Sequence, residues 1–201
     1  MRSSEEIRER YERIREQVGP GVGVVAATKY VSVEEMGVLA QAGIELVGEN
    51  RAQSLAEKQA RYGAAFRWHF IGHLQSRKAP LVSELCELCH SLASESAARQ
   101  LSIPALVEVN LAGEETKSGI APEQLEGFLN LCAQVGVEVR GLMTMPPLSD
   151  DPERSRPYFR RLRELAEHFD LLQLSMGTSQ DYLVAAEEGA TFVRVGSVLW
   201  S

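Results

Sequence analysis

The sequence predicts an α/β fold: a single (β/α)8 TIM barrel over residues 1–201, with an extra helix ahead of the first strand. Three observations predict it. Eight short apolar runs alternate with helix-like stretches, the pattern of a parallel sheet. Eight units close such a barrel, and 201 residues give roughly 25 per unit, near the lower size limit of that fold. No Gly-x-Gly-x-x-Gly follows the first run, which weakens the runner-up, a doubly wound open sheet of the dinucleotide-binding kind. No linker, low-complexity tract or charge block divides the chain, so one domain is expected.

The elements follow in order. Ile7, Tyr11, Ile14 and Val18 recur at spacings of four and three, one face of a first helix. Ser3 and Glu6 fit a capping box at its start, and Gly19-Pro20 ends it. Residues 22–27 are short, apolar and β-branched, as in a strand buried on both faces. Further strands are expected at 44–48, 67–71, 87–91, 105–110, 137–142, 171–174 and 191–195. Helices should fill 33–42, 50–61, 75–82, 94–101, 122–135, 153–168 and 180–188. Ser32 with Glu35 makes a second capping box, and Gly43 stops that helix. Pro122 and Pro152 stand where first turns begin, and Gly136 where a helix ends.

Composition narrows the function classes. Hydrophobic residues make up 44% and charged residues 24%, the balance of a globular chain rather than a disordered one. The net charge of −7 repels phosphate backbones at long range, so nucleic acid is not an expected partner. A local basic pocket for a small phosphate is compatible with it. No apolar run reaches ~18 residues, and the N-terminus lacks the apolar stretch of a secretory signal. Three cysteines do not make a disulfide framework. A cytoplasmic location without membrane contact is the expectation.

In such a barrel, active residues lie at the C-terminal ends of the strands. After strand 1 comes Lys29, in Ala26-Ala27-Thr28-Lys29-Tyr30. Its amine is expected near a low-dielectric mouth, where desolvation lowers a lysine pKa and leaves a neutral amine for imine formation. A solvated lysine at a strand end is the bland reading. After strand 7 comes Ser175-Met176-Gly177-Thr178-Ser179, and after strand 8 Arg194-Val195-Gly196-Ser197. Glycine there lets backbone approach an anion, and hydroxyls and arginine donate to it. Thr178 with Asp181 also reads as a simple capping box. Together the three loops describe a ligand with a carbonyl at one end and a phosphate at the other. Glu49-Asn50, after strand 2, is expected to project toward the mouth; Asn50 would bond a ligand there or cap its own helix. His69 is expected in strand 3, with His73 in the loop above it pointing at the mouth. Cys86-Glu87-Leu88-Cys89-His90 matches a haem-attachment pattern, but it reads better as a helix end running into a strand with buried cysteines. The histidines and cysteines lack the spacing of a zinc site.

At this point the motifs line up. They are Ala26-Ala27-Thr28-Lys29, Gly48-Glu49-Asn50-Arg51, Trp68-His69-Phe70-Ile71-Gly72-His73-Leu74-Gln75-Ser76 and Val109-Asn110. Lys117-Ser118-Gly119, Gly141-Leu142-Met143-Thr144-Met145, Leu174-Ser175-Met176-Gly177 and Val193-Arg194-Val195-Gly196-Ser197 follow. In this order they make the chain resemble the pyridoxal 5′-phosphate (PLP) homeostasis proteins, which look like the N-terminal barrel of alanine racemase standing alone. The resemblance runs from about residue 5 onward. It implies a PLP fold-type-III barrel with Lys29 holding PLP as an internal aldimine. It implies Ser175, Gly177, Gly196 and Ser197 around the phosphate, Arg194 facing the pyridine nitrogen, and Asn50 and His73 bordering the ring. Arg77 stands where the family usually has Asn, Thr178 replaces a usual Met, and the Trp200-Ser201 tail replaces a commoner Phe-Gly.

The resemblance also bears on activity. A cationic guanidinium cannot accept a proton, so Arg194 would keep the pyridine nitrogen neutral and the cofactor a weak electron sink. Racemisation needs an acid–base group on each face, and alanine racemase takes its second, a tyrosine, from a further domain across a dimer. The expectation is a monomeric PLP carrier that delivers the aldehyde to apo-enzymes or small amines, rather than an efficient racemase. A PLP-dependent racemase or lyase of low activity is the alternative. A Schiff-base aldolase acting on a phosphorylated sugar through Lys29 is a third reading.

Overall fold

A computed structural model describes residues 2–113 and 118–200. Lys117, part of one motif above, lies outside the described residues. Helix α1 (Ser4–Val18) precedes β1 (Gly23–Ala27), α2 (Met36–Gln41), β2 (Leu46–Glu49), α3 (Ala52–Tyr62) and β3 (Arg67–Phe70). Then come α4 (Ala79–Leu85), β4 (Leu88–Leu92), α5 (Glu95–Ala98), β5 (Ala105–Glu108), α6 (Leu125–Gln134) and β6 (Val139–Met143). The chain finishes with α7 (Arg156–His168), β7 (Gln173–Thr178), α8 (Tyr182–Glu187), β8 (Phe192–Val195) and α9 (Ser197–Trp200). All eight strands pair in parallel in sequence order, and β8 closes onto β1, making a barrel.

The local signals act as their chemistry requires. The Ser3 hydroxyl accepts from the Glu6 amide while the Glu6 carboxylate accepts from the Ser3 amide, so α1 starts with two of its orphan donors satisfied. Ile7, Tyr11, Ile14 and Val18 are its buried face. Each aliphatic burial of this kind contributes about 1.5–3 kcal/mol. Ser32 and Glu35 exchange the same pair of bonds, but the helix begins at Met36, three residues after the expected start at 33. Gly43 and Gly136 take positive φ of 79° and 81° just past their helices, where a side chain would strain the turn.

Most of the core lies between the strands and the surrounding helices. Inside the cylinder, Leu88, Leu106 and Met143 pack against Phe192. Beside them lies a polar group, His69, His90, Ser175 and Arg194, all buried. Register slips occur between β4 and β5, β5 and β6, and β7 and β8. At the last, Ser175 pairs with Phe192 and Thr178 with Arg194, so Met176 and Gly177 of β7 oppose the single residue Val193 of β8.

Gly141, beside the β5–β6 slip, has no room for a side chain: a Cβ would run into the Gln173 carbonyl on the next strand. Gly141→Ala is expected to cost about 3 kcal/mol in urea unfolding, because backbone rather than a side-chain tip must give way. Gly127→Ala, with nothing within 4 Å of the new Cβ, is the control. A loss below about 1 kcal/mol at Gly141 would contradict this account.

Candidate functional site

The C-terminal ends of the strands open into a cavity of about 770 Å³. Lys29, Asn50, Arg194, Gly196 and Ser197 line it, from the ends of β1, β2 and β8. Five of the residues expected at the site therefore converge. Three do not. His73 is exposed and outside the lining, and its electrostatic partner is Glu108 at the end of β5. Ser175 is mid-strand and fully buried below the cavity. Gly177 packs against α8, where a Cβ would meet the Ala185 methyl at 2.5 Å. The common reason for the last two is that β7 runs to Thr178, four residues past the expected end. The residues that reach the cavity from this strand are Thr178, Ser179 and Gln180.

Ser179 shows what this corner can hold. Its hydroxyl oxygen accepts from the Gly196 amide at 3.0 Å and from the Val198 amide at 3.4 Å. Two backbone donors thus converge on one oxygen at this corner. The turn presenting Ser179 is fixed by Asp181. One carboxylate oxygen accepts from the Thr178 amide and hydroxyl (2.7 and 3.0 Å), and the other from the Ser155 hydroxyl (2.7 Å). Part of the expected Thr178–Asp181 capping role is therefore present.

Arg194 is buried at the cavity floor. One of its guanidinium nitrogens donates to the Ser175 hydroxyl (2.5 Å) and the other to the Thr144 carbonyl (3.0 Å). Burial pulls its pKa down to about 10, against the pull of Glu108 and Asp181, so it stays cationic at neutral pH. Beneath it a chain of hydrogen bonds continues from Ser175 to His90 Nδ1 (2.7 Å) and from His90 Nε2 to His69 Nδ1 (2.9 Å). With Arg194 donating to Ser175, the arrangement that strands no hydroxyl proton has Ser175 donating to His90 and His90 donating to His69. Burial holds both rings neutral: His69 is lowered to about 3, and His90 well below the usual histidine value. Glu108, bonded to the Ser118 hydroxyl at 2.8 Å, is raised by burial.

The remaining expectations resolve similarly. Lys29 lines the cavity but is exposed, with its ammonium 4.8 Å from the Tyr30 ring centroid, so the desolvated setting expected for it is absent. Glu49 does not project into the mouth; it is buried against Lys58 of α3. Cys86 and Cys89 are buried free thiols, and His90 belongs to the barrel interior. Among the described residues no cluster of His, Cys, Asp or Glu could hold a metal ion. Nor is any helix among them long and apolar enough to cross a membrane.

Comparison with known proteins places this geometry. The model of the alanine racemase N-terminal domain matches residues 3–201. A pyridoxal phosphate homeostasis protein of Aquifex aeolicus is 38% identical over 212 residues, 96% of this chain and 93% of that protein. The chain belongs to the pyridoxal phosphate homeostasis protein family. A Deinococcus radiodurans member is 38% identical over 190 residues, 90% of this chain and 89% of that protein. Two structures of PipY of Synechococcus elongatus, described as without PLP and with PLP bound, give TM-scores of 0.89 and 0.86 at 32% identity. Both cover 97% of this chain and 100% of that one. Alanine racemase of Corynebacterium glutamicum, at 19% identity and a TM-score of 0.76, shares the fold; this family member spans 60% of it.

Proposed function

We propose that this chain binds PLP in the cavity at the mouth of the barrel, as an imine on Lys29, and serves PLP homeostasis as a carrier rather than as an efficient racemase. The observation that carries the reading is the convergence in one cavity of a primary amine, Lys29, and the two turns Thr178–Ser179 and Gly196–Ser197, which bring hydroxyls and main chain to its lining. PLP offers an aldehyde to the first and a phosphate to the second. The cavity, about 770 Å³, is in the range of small-ligand sites. Family membership and the PLP-bound PipY support the same ligand.

The chemistry balances without a further reagent. The Lys29 nitrogen bonds to the aldehyde carbon, the carbon–oxygen bond breaks, and the oxygen leaves as water with both amine protons. The reverse step, with water or a second amine, releases the aldehyde. Arg194, cationic and already donating to Ser175 and Thr144, cannot take a proton from or give a stable one to the ring nitrogen, so carbanion chemistry is poorly supported. Tyr30 and Leu148 stand at the rim, 82% and 86% exposed, so the mouth is open to acceptor amines or apo-enzymes.

The test is the absorption spectrum of the protein loaded with PLP, before and after borohydride reduction, followed by peptide mass mapping. A yellow band and a reduced adduct on Lys29 are expected. An adduct on another residue rejects the assignment. Measurable exchange of D- and L-alanine by the purified protein would replace the carrier reading with that of a weak racemase.

A further inference from the structure

Behind Lys29 lies a buried ion pair. Glu49 closes β2 with no exposure, and Lys58 on α3 is 4% exposed. The Lys58 ammonium donates to Glu49 Oε1 at 2.5 Å and to the Thr28 main-chain carbonyl at 2.7 Å. The Thr28 hydroxyl donates to the same Oε1 at 2.5 Å, while Oε2 is buried with no partner among the described residues. As a source of stability this is a poor arrangement. Desolvating two charges offsets most of their attraction, apolar side chains of similar volume would serve as well, and the orphaned oxygen adds a further cost.

What the cluster does hold is the backbone at the start of the lysine turn. Pairing of β1 with β2 ends at Ala27 opposite Gly48. Beyond that point Thr28 is still tied at every polar atom. Its amide donates to the Gly48 carbonyl at 3.0 Å, its hydroxyl reaches Glu49, and its carbonyl accepts from Lys58 and from the Val31 amide (2.9 Å). The next residue is Lys29, whose side chain is exposed at the cavity rim.

We propose that Glu49 and Lys58 are positioning residues for Lys29: they clamp Thr28 where sheet pairing stops, so that the lysine amine is presented to the aldehyde of the bound ligand from a fixed point. The proposal rests on the assignment of the imine to Lys29. It separates two parts of binding: the pair governs imine formation and leaves the anion corner at Ser179, Gly196 and Val198 untouched.

The test compares the full-length protein with Glu49→Gln, Lys58→Met and the Glu49→Gln/Lys58→Met double variant. Three quantities are measured: urea stability, the imine-formation constant with PLP, and affinity for pyridoxine 5′-phosphate, which has the ring and phosphate but no aldehyde. Modification of Lys29 by trinitrobenzenesulfonate across pH, mapped by mass spectrometry without PLP, adds a readout of the amine itself. Each single variant leaves a buried group unpaired and should be destabilised; the double variant should recover much of that stability. Its imine constant is nevertheless expected to stay about tenfold or more below the parent's, with an altered Lys29 modification profile and pyridoxine 5′-phosphate affinity within about twofold. Recovery of the imine constant together with stability would overturn the proposal, making the pair merely structural. A parallel loss of pyridoxine 5′-phosphate affinity would also overturn it, because the pair would then shape the whole cavity. Failure of the underlying assignment looks different: borohydride would label a residue other than Lys29 in the parent protein.

Discussion

Lys29→Ala is expected to abolish the imine band and to raise the apparent dissociation constant for PLP by about two orders of magnitude, equivalent to about 2.7 kcal/mol. Lys29 is the only lysine among the described residues that line the cavity, so no second amine is placed to take over. The anion corner at Ser179 and the Arg194 floor stay in place, so binding should be weakened rather than lost. The side chain is exposed and its polar head makes no packed contact in the core, so urea stability should change by less than about 1 kcal/mol. Pyridoxine 5′-phosphate, which cannot form the imine, should bind the variant and the parent alike. A band that survives in the variant removes Lys29 from its role.

The second large effect is on acid stability. His69 and His90 are buried and held neutral, the first with its pKa lowered to about 3. In the unfolded chain each titrates near 6.5. Their folded values lie below the unfolded one, so the native state refuses protons that the unfolded state accepts. Above about pH 6.5 the pair costs nothing. Below it, each ring removes about 1.4 kcal/mol of stability per pH unit until its folded pKa is reached, near 3 for His69. At pH 4.5 His69 alone should have removed about 3 kcal/mol, and His90 acts in the same direction. Glu108, raised by burial, works in the opposite direction as it takes up a proton ahead of the unfolded chain, but it is one group against two. Urea unfolding at pH 6 and pH 5 measures the slope. A slope near two protons is expected, falling by about one in His69→Asn. Stability that stays flat over this interval would show that the rings are charged, or solvated, in the folded protein.

Much of the fold was legible in the residues. The spacing of Ile7, Tyr11, Ile14 and Val18 gave the buried face of α1, and all eight apolar runs are strands. β7 runs past the end expected from Ser175, Gly177 and Thr178, which have the composition of a loop. Met176, buried between them, was the available sign that the strand continued. The residues from this strand that line the cavity are therefore Thr178 and Ser179 rather than Ser175 and Gly177. Residues Lys29, Asn50, Arg194, Gly196 and Ser197 did converge, since each follows or ends a strand and the barrel gathers those ends. The buried polar contacts had no such signal. His90 meets His69 across 21 residues of sequence and Ser175 across 85, and Glu49 meets Lys58 on a neighbouring helix.

By itself the sequence determined the number and order of the strands, the helical faces and the residues that stand at strand ends. These are properties of local periodicity, which burial on a strand or a helix imposes on neighbouring residues. Only the tertiary structure decided that Lys29 stays exposed, that Glu49 turns away from the mouth to Lys58, and that Arg194 rests on a chain of neutral histidines. Closing the cylinder brings inward-facing side chains from distant strands to one axis. Which of them touch depends on register slips of a residue, which no local pattern records.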